Sequence, residues 1–188
     1  GLEVRNTAGA TIARRNLIFA VASEHIGFSV WTLWSVLVLF LGPDYGFDVS
    51  QKFLLTAVPS LLGALVRVPY TFAVAVFGGR NWTVISTLLL LIPTVAIAIV
   101  LQPGVSFTTL LWVSALAGVG GGNFASSMTN INAFFPARLK GWALGVNAGG
   151  GNLGVAVAQL VGLAVLALTG TQYPRLMVAI YIPLVLVV

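Results

Sequence analysis

Any chemistry this chain performs has to be built around Arg67. It lies near the middle of the apolar stretch 51–77, in Gly63-Ala-Leu-Val-Arg-Val-Pro-Tyr70. A charged side chain at bilayer depth costs roughly 2.5–3.5 kcal/mol on insertion scales, and from mid-helix the headgroups are hard to reach. Arg67 is therefore expected to face protein or water. A guanidinium presents planar, forked donors that fit a planar oxyanion in bidentate geometry, whereas a lysine supplies charge without the fork. The structural alternative is an arginine bonded to backbone carbonyls or paired with Glu24, the nearest acidic residue within a helix.

The rest of the inventory speaks against an enzyme. No Asp or Glu follows Asp48, and His25 is the one histidine. Paired carboxylates, a nucleophile–histidine–acid triad or clustered metal ligands cannot be assembled from the later helices. The glycine-rich run from Gly118 to Gly122 lacks the Gly-Lys-Ser/Thr ending of a phosphate loop and the acidic residue that completes a dinucleotide fingerprint. No cofactor or metal is expected. Basic runs interleaved with stacking aromatics are missing too, so nucleic acid is not an expected partner.

The polar residues inside apolar stretches need positions. Read as a helix, Gly118, Gly122, Ser126 and Asn130 share one face. Small residues at that spacing let membrane helices approach backbone to backbone. An unsatisfied amide in hydrocarbon costs roughly 4–8 kcal/mol on the cyclohexane reference, so this face must meet protein or a polar cavity. Further on, Gly141, Gly145 and Gly149 form a second stripe, with Asn152 and Gln159 near it. Its glycines serve close packing or close approach of a ligand, and its amides serve as glue between helices or as anion donors. On the first helix Glu24, Phe28, Trp31 and Ser35 lie near one face. Phe28 either packs or stacks on a flat anion, and Tyr70, one turn beyond Arg67, poses the same choice with a polar tip. Glu24 and His25 also have two readings: a buried carboxyl that carries a proton, or a pair near the cytoplasmic interface.

The elements that must position these residues are membrane helices. Of 188 residues 59% are hydrophobic and 7% charged, with a mean hydropathy of +1.03. A soluble domain carries about a quarter charged residues. The pattern predicts an all-α polytopic bundle. Residues 1–15 read as a flexible basic lead-in, and 16–188 as six spans: Asn16–Leu41, Gln51–Phe77 with Ser50 as cap, Trp82–Leu101, Ser106–Phe135, Gly141–Leu168, and an apolar run after Arg175. Pro136 to Lys140 reads as a short basic loop. The last run is shorter than the ~20 residues a span needs, so the sixth helix is expected to be truncated. With the amino terminus inside, one side receives Arg5, Arg14, Arg15, Arg80, Arg138 and Lys140, and the other Lys52 and Arg175 with Asp44 and Asp48. Lysine and arginine excess marks the cytoplasmic side, so a cytoplasmic amino terminus is expected.

The run Gly120-Gly-Gly-Asn-Phe-Ala-Ser-Ser-Met-Thr-Asn-Ile-Asn-Ala-Phe-Phe-Pro136 resembles the signature of the nitrate/nitrite porters, a family of the major facilitator superfamily. Gly120, Gly122, Asn123, Ser126 and Asn130 carry the resemblance. Phe77-Gly-Gly-Arg-Asn81 is similar to the superfamily's cytoplasmic loop, without its usual aspartate. The resemblance implies the amino-terminal six-helix half of a transporter, built of 3+3 inverted repeats and working by alternating access in the cytoplasmic membrane. It implies nitrate and nitrite as partners, along with the carboxy-terminal half and the bilayer. Arg67 matches the family's substrate-binding arginine on the second helix; a second arginine would come from the other half. Asn152, with Gly149 and Gly151, matches a glycine–asparagine motif beside the substrate, and Phe28 an aromatic wall. Exchange and proton-coupled uptake both occur in the family, and Glu24 with His25 would suit the second. Another major facilitator anion carrier, an anion channel or a non-transporting scaffold are the alternatives.

Overall fold

The computed structural model describes residues 2–188, with side chains from residue 9 onward. The described residues are all-α, without a strand, and their helices join end to end into six rods. These are α1 (Leu2–Phe40), α2 (Val49–Phe77), α3 (Gly79–Leu89) with α4 (Leu91–Val100), α5 (Phe107–Leu116) with α6 (Val119–Phe134), α7 (Ala137–Thr169), and α8 (Pro174–Ala179) with α9 (Tyr181–Val187). Among the described residues four stretches are long and apolar enough to cross a bilayer: Gly9–Phe40, Val49–Phe77, Gly79–Val100 and Ala137–Thr169.

Several boundaries differ from the sequence expectation. The stretch expected to be a flexible lead-in belongs to α1, which begins at Leu2; the side chains of Glu3 and Arg5 lie outside the described residues. Asp48, not Ser50, caps α2: its side chain accepts from Gln51 N at 2.7 Å, while Gln51 Oε1 accepts from Asp48 N at 3.0 Å. This reciprocal box satisfies two donors where a lone serine would satisfy one. Residues 137–140 form the first turn of α7 and not a loop, with Pro136 in the cap position, where its missing N–H costs nothing. Gly78, at φ +79°, is enough to turn α2 into α3.

Three rods are interrupted, for two reasons. Pro93 and Pro183 each lack an N–H and press on the carbonyl four residues back. The breaks after Leu89 and after Ala179 sit at those positions. The third interruption is the tight turn at Ala117–Gly118, where bonds run from Ala117 N to Ser114 O and from Gly118 N to Ala115 O at 3.0 Å each. It brings Gly118 against α2, where a Cβ would stand 2.8 Å from Leu62 Cβ and 2.9 Å from Gly63 N.

α1 is the inner helix: 61% of its most apolar window is buried, against 17% for α2 and 28% for α7. Its residues Val30, Leu33, Trp34 and Leu37 form the main apolar core with Leu90, Ile97, Leu110, Met177 and Tyr181. The most extensive packings are α1 on α7 and α2 on α6. A repeat that carries rods one to three onto rods four to six exchanges these two pairs. It also exchanges the two proline-broken rods, so the 3+3 organisation is visible in both packing and kinks. The turns near 42–45, 101–103 and 171–175 border one depression, at the end that holds Asp44 and Arg175. Arg15 and Arg80 border another, at the opposite end.

Glycine is the means of contact between rods. A Cβ on Gly120 would strike the Gly27 carbonyl, and one on Gly154 the His25 carbonyl. Both obstacles are backbone and cannot swing aside. Gly120→Ala and Gly154→Ala are each expected to destabilise the full-length protein by about 1–3 kcal/mol through overpacking, read as a fall in melting temperature in detergent. Asp48→Ala should cost about 0.5–2 kcal/mol through loss of the α2 cap, read the same way.

Candidate functional site

Arg67 faces the bundle. Its guanidinium lies 5.5 Å from the Trp31 ring centroid and 5.1 Å from that of Phe124. Its Nε donates to the Gly121 carbonyl at 3.2 Å. Cation–π contacts contribute about 0.5–2 kcal/mol each, more when desolvated, so two rings and one carbonyl hold the head of a half-buried side chain. Both terminal nitrogens remain without a hydrogen bond to any described residue. They form the edge of the fork that accepts a two-oxygen ligand. The Glu24–Arg67 pair weighed as an alternative does not form, since Glu24 bonds elsewhere.

Each wall of this box is fixed by a neighbouring helix. Trp31 Nε1 donates to the Pro59 carbonyl at 2.8 Å. Gly63 and Gly121 leave room for the indole, because a Cβ at either would run into it. Phe28 is 4% exposed and stacks on Phe124 at 6.0 Å and 21°, with Trp31 at 5.3 Å. Phe28 thus supports the aromatic walls and gives its own ring to protein. Tyr70 is buried edge-on to Trp82 at 4.9 Å. Gly122 lets α6 reach it, since a Cβ there would come within 2.7 Å of the Tyr70 ring. The Tyr70 hydroxyl has no partner among the described residues.

A second polar cluster lies one helical turn away. Glu24 is 0% exposed, enclosed by the protein. Its Oε2 accepts from Ser127 Oγ on α6 and from Asn147 Nδ2 on α7, and Asn147 Nδ2 also reaches Ser127 Oγ at 2.8 Å. Glu24 Oε1 has no partner among the described residues. Gly151 makes the space for this carboxyl, because a Cβ there would collide with it. His25 Nδ1 lies 3.0 Å from the Gly150 carbonyl; a carbonyl only accepts, so Nδ1 carries the hydrogen.

The other expected residues divide between two roles. Along the signature helix, Asn123 is buried and donates to the Ser23 carbonyl at 3.4 Å. Ser126 bonds back to the Asn123 carbonyl at 3.1 Å, and Asn130 donates to Asn16 Oδ1 at 3.0 Å. These amides tie α6 to α1. The α7 stripe behaves otherwise: Gly141, Gly145 and Gly149 have nothing within 4 Å of an added Cβ. Asn152 is exposed and donates to Ala148 O of its own helix at 2.8 Å. The structure does not bring Asn152 and Gly149 to Arg67; they form an open face. The glycines of α7 that do pack are Gly150, Gly151, Gly154 and Gly162, all against α1.

Sequence reasoning passed over Phe124 and Ser127 and read Trp31 without these partners. One signal was available: Phe124 follows Gly121 by one turn, as Ser127 follows Phe124, so one face of α6 carries all three.

Residues 19–188 match the sequence model of the Major Facilitator Superfamily. The chain is 50% identical over 155 residues to the nitrate/nitrite transporter NarU of Escherichia coli (strain K12), covering 81% of this chain and 34% of that protein. It is 41% identical over 153 residues to the probable nitrate/nitrite antiporter NarK2 of Thermus thermophilus, covering 80% and 34%. It is 29% identical over 146 residues to the probable nitrate transporter NarT of Staphylococcus carnosus (strain TM300), covering 78% and 36%. The chain spans about a third of the length of these curated relatives. With its all-α membrane bundle and a match running from residue 19 to residue 188, the chain belongs to the Major Facilitator Superfamily.

Proposed function

We propose that this chain is the amino-terminal part of a transporter that moves nitrate and nitrite across the cytoplasmic membrane by alternating access. The observation that carries the reading is the Arg67 guanidinium: Nε is committed to Gly121 O, two aromatic faces flank the head, and the outer fork makes no bond to a described residue. Nitrate and nitrite are small planar anions with charge spread over their oxygens, which suits a bidentate fork between flat walls. The names of the similar transporters support the same substrates.

The remainder of the transporter would cover the open α7 face, so that Gly149 and Asn152 come to line the pathway from the opposite wall. There an amide donor adds a hydrogen bond without a second charge, and glycine lets the anion approach the backbone. The end bearing Arg15 and Arg80 would lie in the cytoplasm, as positive-inside bias requires. Saturable uptake distinguishes a carrier from a channel, and stimulation by internal nitrite identifies exchange.

The test is uptake of labelled nitrate into proteoliposomes by the full-length protein and its Arg67→Lys variant. Hydrogen bonds to charged groups contribute about 1.5–3 kcal/mol, so loss of the fork should weaken nitrate binding about ten- to a hundredfold. The variant should keep the elution profile and melting temperature of the parent. A folded Arg67→Lys protein with parental nitrate affinity would overturn the assignment.

A further inference from the structure

Beyond its first turn α2 carries four hydroxyls, on Thr56, Ser60, Tyr70 and Thr71. Tyr70 is buried against Gly122 of α6. The other three share the face of Arg67: at 3.6 residues per turn, Thr56, Ser60, Arg67 and Thr71 fall within an arc of about 60°. A second arc holds Leu61, Leu65, Val68 and Phe72, all exposed and apolar, as a lipid-facing surface requires. A third holds Leu55, Gly63 and Ala73, all buried. A helix in lipid tolerates a back-bonded hydroxyl on any face, so confinement to the face of the guanidinium calls for a reason. Anchoring the anion does not supply it. With a rise of about 1.5 Å per residue, Ser60 lies about 10 Å and Thr56 about 16 Å along the axis from Arg67.

We propose that this face of α2 is the route by which the anion reaches and leaves Arg67, with Thr56, Ser60 and Thr71 as its transit donors. The inference rests on the reading of Arg67 as the anion site. Ser60 and Thr71 are exposed, and Thr56 and Arg67 are half-buried. Thr56 and Ser60 lead from Arg67 toward the end that bears Asp44, and Thr71 toward the end that bears Arg80. α1 adds a fourth hydroxyl. Trp31 Nε1 donates to Pro59 O, and α1 and α2 run in opposite directions, so exposed Ser35, one turn beyond Trp31, stands near the level of Thr56.

The hydrogen bonds explain how these groups serve a moving ligand. Thr56 Oγ1 donates to Phe53 O at 2.7 Å, Ser60 Oγ to Thr56 O at 3.2 Å, and Thr71 Oγ1 to Arg67 O at 2.8 Å. Ser35 Oγ donates to Thr32 O at 2.7 Å. A carbonyl inside a helix already accepts from the N–H four residues on. Each hydroxyl hydrogen can therefore swing to a passing anion and back without leaving a carbonyl unpaired. The buried amides of α6 have no such freedom, because Asn123 and Asn130 hold α1 with theirs. Passage requires stations that bind well enough to admit an ion and weakly enough to release it. Neutral hydroxyls on either side of one cation meet that requirement, whereas a second cation on the same face would retain the anion.

The test uses the full-length protein, with labelled nitrate counterflow in proteoliposomes and equilibrium nitrate binding in detergent. One hydrogen bond to a charged ligand corresponds to a change of about tenfold. Ser60→Ala should slow counterflow about tenfold while nitrate affinity and melting temperature stay parental, and Ser60→Thr should restore the rate. Thr56→Val should behave as Ser60→Ala does. A second readout is independent of transport. In a cysteine-free background, Thr56→Cys and Ser60→Cys should react with a positively charged, water-soluble thiol reagent, whereas Leu61→Cys and Leu65→Cys should not. Parental counterflow in the Thr56→Val, Ser60→Ala double variant would overturn the route and leave the anion site standing. Nitrate affinity falling in step with the rate would also overturn it, since the hydroxyls would then belong to the Arg67 site itself. So would a Ser60→Cys protein as unreactive as Leu61→Cys. A parent that binds no nitrate would sink the reading of Arg67 beneath it.

Discussion

Hydrocarbon offers no hydrogen bonds, and this constraint orders the whole bundle. A guanidinium, a carboxyl and several amides sit within apolar helices, where bonds from another helix serve them. Arg67 is served by a carbonyl of α6 and by rings from α1 and α6. Glu24 is served by a hydroxyl of α6 and an amide of α7. α1 and α6 take part in both arrangements, which is why these helices are at once the most polar inside and the most closely packed.

Close packing in turn depends on glycine. Between apolar helices in lipid there is no hydrophobic force to spend, and association comes from van der Waals fit and interhelical hydrogen bonds. Gly120 on Gly27, Gly121 on Gly63 and Gly154 on the His25 carbonyl bring backbones within reach of each other. At those distances short side chains such as Ser127, Asn123 and Asn147 can span the gap. Removing a hydrogen in favour of a methyl at such a point would open the polar contacts nearby as well as strain the local one. The glycine run also weakens its own rod, which breaks at Ala117–Gly118; near a turn of this kind a carbonyl such as that of Gly121 can be shared with Arg67.

The two charged groups share a scaffold without neutralising each other. A direct ion pair would have satisfied both and left neither available to a ligand. Instead, among the described residues, the arginine keeps its outer fork unbonded and the carboxyl keeps one oxygen unbonded, each while held in place through its other atoms. The open stripe of α7 contrasts with this, since among the described residues no other helix packs on Gly141, Gly145 and Gly149, and exposed Asn152 bonds only within its own helix. A small-residue face of this kind lets another backbone approach closely.

Hydropathy, charge placement and helical periodicity were enough to determine that this is an all-α membrane bundle, how many rods it has, and that Arg67 faces inward. These follow from transfer energetics and from the angle per residue, both of which are local. The signature stretch also showed by itself that α6 must meet protein, because its amides could not face lipid. Which glycine stripe of α7 packs was not legible: both have helical spacing, and only the position of α1 separates Gly150, Gly151 and Gly154 from Gly141, Gly145 and Gly149. The same holds for Glu24. Distance along the helix placed it toward an interface, while its burial comes from α6 and α7, residues 103 and 123 positions away in the chain. Whether two polar residues satisfy each other depends on which helices become neighbours and at what rotation, and only the tertiary structure decided that.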